Sequence, residues 1–258
     1  MKPQQDSQNF LTEQDINDMC DNDLAQELEE IERFKEIETK QRYSLTKEDI
    51  TDYCAYLGIS RENLTEFTIS DRVTEIGNEA FRECTSLSSV IIPDSVTVIG
   101  ECAFRKCTSL SSITIPNSVT TIRMHAFRRC TSLTSITLPN SVTKISRWAF
   151  LGCTSLEFIT IPDGVTEIGF QTFDGCSSLR SITIPDSVTV IGEHAFRKCT
   201  SLTSITIPNG VTEIKEGAFH HCTSLTSINI PDGVTQISAW AFSYCTSLSS
   251  ITIPDDVT

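Results

Sequence analysis

Cysteine is the most chemically reactive residue type in this 258-residue chain, and the sequence holds eleven of them. Eight recur at intervals of 23 residues, at positions 84, 107, 130, 153, 176, 199, 222 and 245. Successive cysteines on strands ~4.8 Å apart would lie within disulfide range. No CxxC motif or Cys/His cluster has the spacing of metal ligands, so the sequence predicts no metal and no cofactor. We expect a column of small, buried, reduced thiols.

Histidine, the usual general base, has no catalytic partners in this sequence. His125, His194, His220 and His221 fall at variable positions, and none is placed with a nucleophile and an acid. The sequence also lacks GxGxxG, GxxxxGK and HExxH motifs. Paired carboxylates occur near the N-terminus, where a solvated acidic helix face accounts for them. We therefore expect that this chain is not an enzyme.

The elements that position these residues are copies of one 23-residue unit, such as residues 130–152, CTSLTSITLPNSVTKISRWAFLG. Leu133, Ile136 and Leu138 have the spacing LxxIxL, which predicts a short strand with these side chains facing inward. Pro139 has no N–H for a ladder and should end the strand. Val142 and Ile145 then return the chain toward the core. The segment around Phe150 predicts one or two turns of helix on the opposite side.

One copy of this unit cannot fold alone. Its six large apolar side chains contribute on the order of 10–15 kcal/mol when buried. Ordering the backbone of 23 residues costs roughly 23–46 kcal/mol. The deficit closes only when copies stack and bury one another's faces, so the sequence predicts a solenoid with one continuous core.

The unit LxxIxIPxxVxxIxxxAFxxC resembles the BspA-type leucine-rich repeat, which is also found in treponemal surface proteins. The resemblance covers residues 61–258, with eight full copies and 14 residues of a ninth. It implies a repeat solenoid with a parallel β-sheet on one face and short helices or turns on the other. General leucine-rich repeats carry Asn or Cys shortly after LxxLxL, whereas this unit has Pro followed by Asp or Asn. The repeat architecture alone predicts a non-enzymatic interaction scaffold. Relatives with this repeat include surface adhesins and large protist families, so the resemblance implies an adhesin as the alternative if the chain is exported.

Residues 1–60 precede the array and form a predicted acidic, α-helical segment. Apolar residues spaced by three and four predict an amphipathic helix over 23–41. Thr46 with Asp49 predicts the start of another helix, which Gly58 should end. Two interpretations are open: a cap over the first rung of the solenoid, or a helix that docks a partner.

The outward strand positions of seven rungs are almost wholly Ser, Thr or Asn, with Ile91 as one exception. The rung that begins at Cys153 instead presents Glu157 and Phe158, and the next presents Arg180. An exposed aromatic beside charged residues is typical of an interface anchor. The predicted partner-binding site comprises Glu157, Phe158, Thr160, Arg180 and Thr183. The alternatives are that Phe158 covers the serines of the adjacent strands, or that this copy has drifted.

Basic residues recur on the opposite side of the array. The candidate anion-binding residues are Arg105, Lys106, Arg123, Arg128 and Arg129. They could bind an anion or polyanion, or form an ordinary solvated face.

Charge and hydropathy limit the possible partners. The net charge is −14, and residues 1–60 alone hold six basic and fifteen acidic residues, a net of −9. This acidity disfavours specific nucleic-acid binding. No stretch has the ~20 apolar residues of a membrane span and no secretory signal is evident, so we expect a cytoplasmic protein. Its partner is expected to be another protein, with end-to-end association or association through the N-terminal helices as further options.

Overall fold

Each 23-residue repeat forms one rung of a parallel β-solenoid in the computed structural model, which describes residues 44–257. A rung consists of a three-residue strand, a two-residue strand and a segment of turns. Equivalent strands of successive rungs pair in parallel with a register of 23 residues, as in Ile159 opposite Ile182. The predicted repeat solenoid is confirmed.

The three-residue strands form the first ladder, which has the nine strands expected from the LxxIxL positions. They are β2 (Glu66–Thr68), β4 (Ser89–Ile91), β6 (Ser112–Thr114), β8 (Ser135–Thr137), β10 (Phe158–Thr160), β12 (Ser181–Thr183), β14 (Ser204–Thr206), β16 (Ser227–Asn229) and β18 (Ser250–Thr252). The middle residue points inward and the outer two face solvent, as in Ser135–Thr137. Strand pairing is interrupted between β4 and β6 and between β12 and β14.

A second ladder runs along the array and was not predicted as a sheet. It consists of β1 (Ser44–Leu45), β3 (Glu75–Ile76), β5 (Val98–Ile99), β7 (Thr121–Ile122), β9 (Lys144–Ile145), β11 (Glu167–Ile168), β13 (Val190–Ile191), β15 (Glu213–Ile214) and β17 (Gln236–Ile237). Threonine side chains reinforce it, because the hydroxyl of Thr97 donates to the Thr74 carbonyl oxygen at 3.2 Å. No strand pairing joins β9 to β11 in the described chain.

The third side of each rung, here called the turn side, contains turns and no α-helix in the described repeats, and the first rung begins with a single 3-10 turn, Arg61–Asn63. The prediction of one or two helical turns there is therefore corrected. Two residues per rung, four apart, have positive φ, such as Glu79 at 59° and Glu83 at 62°. A left-handed residue every fourth position cannot sit inside an α-helix. Successive backbone N–H groups instead donate alternately within the turn and to the next rung. The N–H of Ala80 donates to the Gly77 carbonyl oxygen, and the N–H of Phe81 donates to the Ala103 carbonyl oxygen 2.8 Å away.

The core is a set of columns that run the length of the array. Phe81, Phe104, Phe127, Phe150, Phe173, Phe196 and Phe219 are fully buried. Their rings stack nearly parallel, with 5.4 Å between the centroids of Phe127 and Phe150. Each ring therefore packs against both neighbouring rungs.

The cysteine column lies next to the phenylalanines, and its eight thiols are buried and unbridged, as predicted. Each thiol from Cys107 onward donates to a phenylalanine carbonyl oxygen; the Sγ of Cys107, for example, lies 3.0 Å from the oxygen of Phe81. Burial raises the pKa of Cys84 to about 11 and that of Cys153 to about 12. These thiols are structural and poor nucleophiles. Cys54 and Cys102, outside the column, are also buried.

The described N-terminal part covers the first rung. Helix α1 (Lys47–Tyr56) begins with the predicted capping box of Thr46 and Asp49, and Gly58 after it has a φ of 66°. Tyr53 packs edge-on against Phe67, with 5.1 Å between the ring centroids. Arg61 occupies the cysteine position of this rung, and its guanidinium donates to the Ala80 carbonyl oxygen at 2.7 Å.

The predicted helix over 23–41 lies outside the described residues. The division of the chain into a segment 1–60 and an array 61–258 stays a prediction for the same reason.

Candidate functional site

The predicted partner-binding residues lie together on the outward face of the first ladder. Phe158 pairs with Ser135 on one side and with Ser181 on the other. The two serines are the neighbours that could have covered its ring, yet Phe158 remains 51% exposed. Serine side chains are too short to bury a phenyl ring.

Charged and hydroxyl groups surround this ring. The Nε of Arg180 lies 3.9 Å from a carboxylate oxygen of Glu157, and both side chains are exposed to solvent. Thr160 and Thr183 are opposite each other on β10 and β12. The five residues form one continuous surface, which we call the Phe158 patch. An aromatic centre with a polar rim is the usual composition of a protein interface.

The structure does not bring the five basic candidates into one site. The Nζ of Lys106 lies 2.7 Å from a carboxylate oxygen of Glu83. Arg123 extends to the second ladder, where its guanidinium lies 2.8 Å from a carboxylate oxygen of Glu75. Both cations are therefore compensated, and the long basic column expected for a polyanion is interrupted.

Arg105, Arg128 and Arg129 differ from these two because none forms an ion pair within the described chain. They lie on adjacent rungs of the turn side, which are joined by a 2.8 Å hydrogen bond from the Lys106 N–H to the Arg128 carbonyl oxygen. Burial, and then repulsion by Arg105 and Arg129, lowers the pKa of Arg128. We call these three residues the arginine cluster.

His125 lies beside the arginine cluster. Burial, and then the charges of Arg128 and Arg105, lowers the pKa of His125 to about 4, so its ring is neutral near pH 7. The ring stacks on Trp148 with 4.7 Å between centroids. Arg147 lies over the same indole, 5.0 Å from its centroid. These contacts are structural, and no group of three His, Cys, Asp or Glu residues in 44–257 is placed to hold a metal ion.

A groove that sequence reasoning missed lies over the second ladder, at the interruption between β9 and β11. Its volume is about 790 Å³ and its lining includes Lys144, Arg147, Glu167, Phe170, Glu193 and Lys215. The column that contains Arg123 and Lys215 has glycine at 77, 100, 169 and 192 and serine at 146 and 238. A Cβ at Gly192 would lie 2.6 Å from a backbone oxygen, whereas one at Gly169 would lie 3.7 Å from its nearest neighbours. Gly169 thus leaves the groove open without being required by the backbone. Because glycine is the commonest residue of this column, its presence at 169 gave no clear sequence signal of a groove.

The stacked parallel rungs define this protein as a leucine-rich repeat solenoid. It belongs to the BspA type leucine rich repeat family, whose model matches residues 48–180 and 166–258. A search of curated proteins finds no match.

This chain is similar to several solved structures of leucine-rich repeat and related proteins. The leucine rich repeat protein of T. pallidum is 31% identical, with 72% of this chain and 78% of that chain covered and a TM-score of 0.49. A leucine-rich repeat protein from Eubacterium ventriosum is 20% identical, with coverage of 76% and 74% and a TM-score of 0.55. The pneumococcal vaccine antigen PcpA is 19% identical, with coverage of 75% and 62% and a TM-score of 0.50. The last two share the fold alone with this chain.

Proposed function

We propose that this protein is a non-enzymatic scaffold that binds a protein partner through the Phe158 patch. The observation that carries the proposal is the half-exposed phenylalanine at a position where the flanking strands carry serine. Exposed aromatic surface that a partner covers contributes most of the binding free energy at typical interfaces. The rigid ladder holds the ring, the Glu157–Arg180 pair and the two threonines in fixed register, so little conformational entropy is lost on binding.

The compartment we propose is the cytoplasm, where a column of reduced thiols is stable. No helix among the described residues has the length and apolar character of a membrane span. A role as a surface adhesin is the alternative, and it would require export of the chain.

A serine substitution tests the patch. Phe158→Ser copies the residue of the adjacent strands, so it should leave the melting temperature nearly unchanged. It should cost on the order of 2 kcal/mol of partner affinity, which is roughly a 30-fold weaker Kd. The partner would be captured from native extract with the unaltered chain as bait, identified by mass spectrometry, produced pure and measured by calorimetry.

Ile91→Ser is the matched control, because Ile91 is also an exposed apolar residue of the first ladder but lies three rungs away. It should leave the affinity unchanged. A partner that binds Phe158→Ser as tightly as the parent would place the interface elsewhere, with the N-terminal helices or an end of the array as the remaining proposals.

A further inference from the structure

The arginine cluster is unusual because two of its buried nitrogens, the Nε atoms of Arg105 and Arg128, lack a hydrogen-bond partner in the described chain. Five buried side-chain nitrogens lack a hydrogen-bond partner in the described chain, and three of them belong to Arg105, His125 and Arg128. Buried polar atoms in native proteins nearly always have partners. Two unmatched Nε groups beside three guanidinium groups that form no ion pair within residues 44–257 favour a bound ligand that supplies a hydrogen-bond acceptor.

The charge of that ligand follows from the surroundings. Arg105 is the equivalent residue of the preceding rung and Arg129 follows Arg128 in the chain; burial, and then repulsion by these two arginines, lowers the pKa of Arg128. Arg147 adds a fourth positive charge, which acts on the same neighbouring imidazole. No carboxylate lies within ion-pair distance of the three clustered arginines in the described chain. The complementary ligand is an anion.

The length of the cluster limits the size of the anion. The preceding rung carries Glu79 and Glu83, which pair with Arg82 and Lys106. On the following side, the same two columns continue with Leu151 and Gly152, and then with Asp174 and Gly175. A polyanion lying along the array would therefore meet carboxylates on one side and an uncharged rung on the other. In these two columns of the described chain, only two adjacent rungs, ~5 Å apart, present arginines without an ion pair, so the ligand must be a small anion.

We propose that Arg105, Arg128 and Arg129 bind a compact dianion of the phosphomonoester type. Guanidinium groups match phosphate oxygens in bidentate geometry, and a phosphomonoester carries close to two negative charges at pH 7. The site lies on the turn side, whereas the Phe158 patch lies on the first ladder, so the two sites are independent.

The test uses the full chain and O-phospho-L-serine as the probe, with L-serine as the uncharged-side-chain control. Calorimetry should show saturable binding of phosphoserine and none of serine, with affinity that falls as salt is added. Phosphoserine should also raise the melting temperature, because it binds the folded state. Absence of both heat and thermal shift at 20 mM probe would overturn the proposal.

Two variants assign the binding to the cluster. Arg128→Leu with Arg129→Gly copies the next rung of this same array, so the fold is preserved, and phosphoserine affinity should fall at least tenfold. Arg197→Gln with Lys198→Gln is the control, because it alters the same two columns farther along the array. A guanidinium nitrogen of Arg197 lies 3.7 Å from a carboxylate oxygen of Asp174, so the phosphoserine affinity should not change. Equal binding by the parent and the first variant would overturn the assignment.

Further probes identify which kind of molecule carries the bound phosphate group, and they exclude a long polyanion as the ligand. A phosphoserine peptide that binds at least tenfold tighter than inorganic phosphate would indicate a phosphorylated partner, and equal affinities would indicate a free phosphorylated metabolite. Both results support the phosphomonoester chemistry. Binding of heparin by the first variant and the parent alike, without phosphoserine binding, would contradict it.

Discussion

Phe150 and Phe158 are eight residues apart and have opposite environments. Phe150 is fully buried and stacks between Phe127 and Phe173, at 5.4 and 5.5 Å between centroids. Phe158 is half exposed on β10 between two serines. At the scale of the residue, the same side chain holds the array together in one place and is available to a partner in the other.

Alanine substitution should separate the two environments. Phe150→Ala empties a core position shared by three rungs and should lower the free energy of unfolding by roughly 3–5 kcal/mol. Phe158→Ala is the matched control, and its effect should be within about 0.5 kcal/mol. Urea unfolding followed by circular dichroism measures both. A loss below 1 kcal/mol for Phe150→Ala would contradict the stacked column.

At the scale of the element, the first ladder was predictable and the other two sides of the rung were less so. LxxIxL followed by proline marks both the face and the end of a strand, because alternation and the missing N–H are direct consequences of residue type. The second ladder has two-residue strands, such as Lys144–Ile145, which are too short to show a period. Its hydrogen bonds arise only when rungs stack.

The sequence predicted helix or turns for the turn side, because most of its left-handed positions lack glycine or asparagine, the residues that usually mark a positive φ. Glu79, Trp148 and Lys198 have positive φ without being glycine or asparagine. Inter-rung hydrogen bonds, such as that from Trp148 to Phe170, hold them in this conformation. Tertiary contacts thus override local preference, and a single sequence does not reveal that.

Gly175 offers a test of these left-handed turns. Its φ is 74°, and an added Cβ would lie 3.7 Å from its nearest atom, so conformation and not space limits substitution. Gly175→Val should lower the free energy of unfolding by about 1–2 kcal/mol, since a β-branched residue resists positive φ. Gly175→Asn should be better tolerated because asparagine populates this region. Equal losses in chemical denaturation would argue against the left-handed turn.

The candidate sites were predictable to different degrees. The Phe158 patch follows from one residue that departs from its column, and its members lie where strand pairing should place them. The basic candidates were chosen by sequence position, but Lys106 and Arg123 are compensated by Glu83 and Glu75 of earlier rungs. Those pairings join residues 23 and 48 positions apart, and their ion-pair distances depend on side-chain directions that the sequence does not specify.

At the scale of the whole molecule, the array is a one-dimensional stack in which each rung contacts its neighbours. The Phe158 patch and the arginine cluster occupy residues 105–183, so rungs outside this range serve as support. Such a stack should tolerate removal of a whole rung but not of half a rung.

The most direct test of this account compares two internal deletions by thermal unfolding. Removing residues 199–221 joins Lys198 to Cys222 and keeps every core column in register. We expect a single transition, a parallel β spectrum and a midpoint lowered by less than about 10 °C. Removing residues 199–210 places Val211 at the cysteine position and misaligns every later rung, so it should abolish the cooperative transition of those rungs. Equal tolerance of the two deletions, or equal loss of folding, would contradict the stacked-rung structure on which both proposed sites depend.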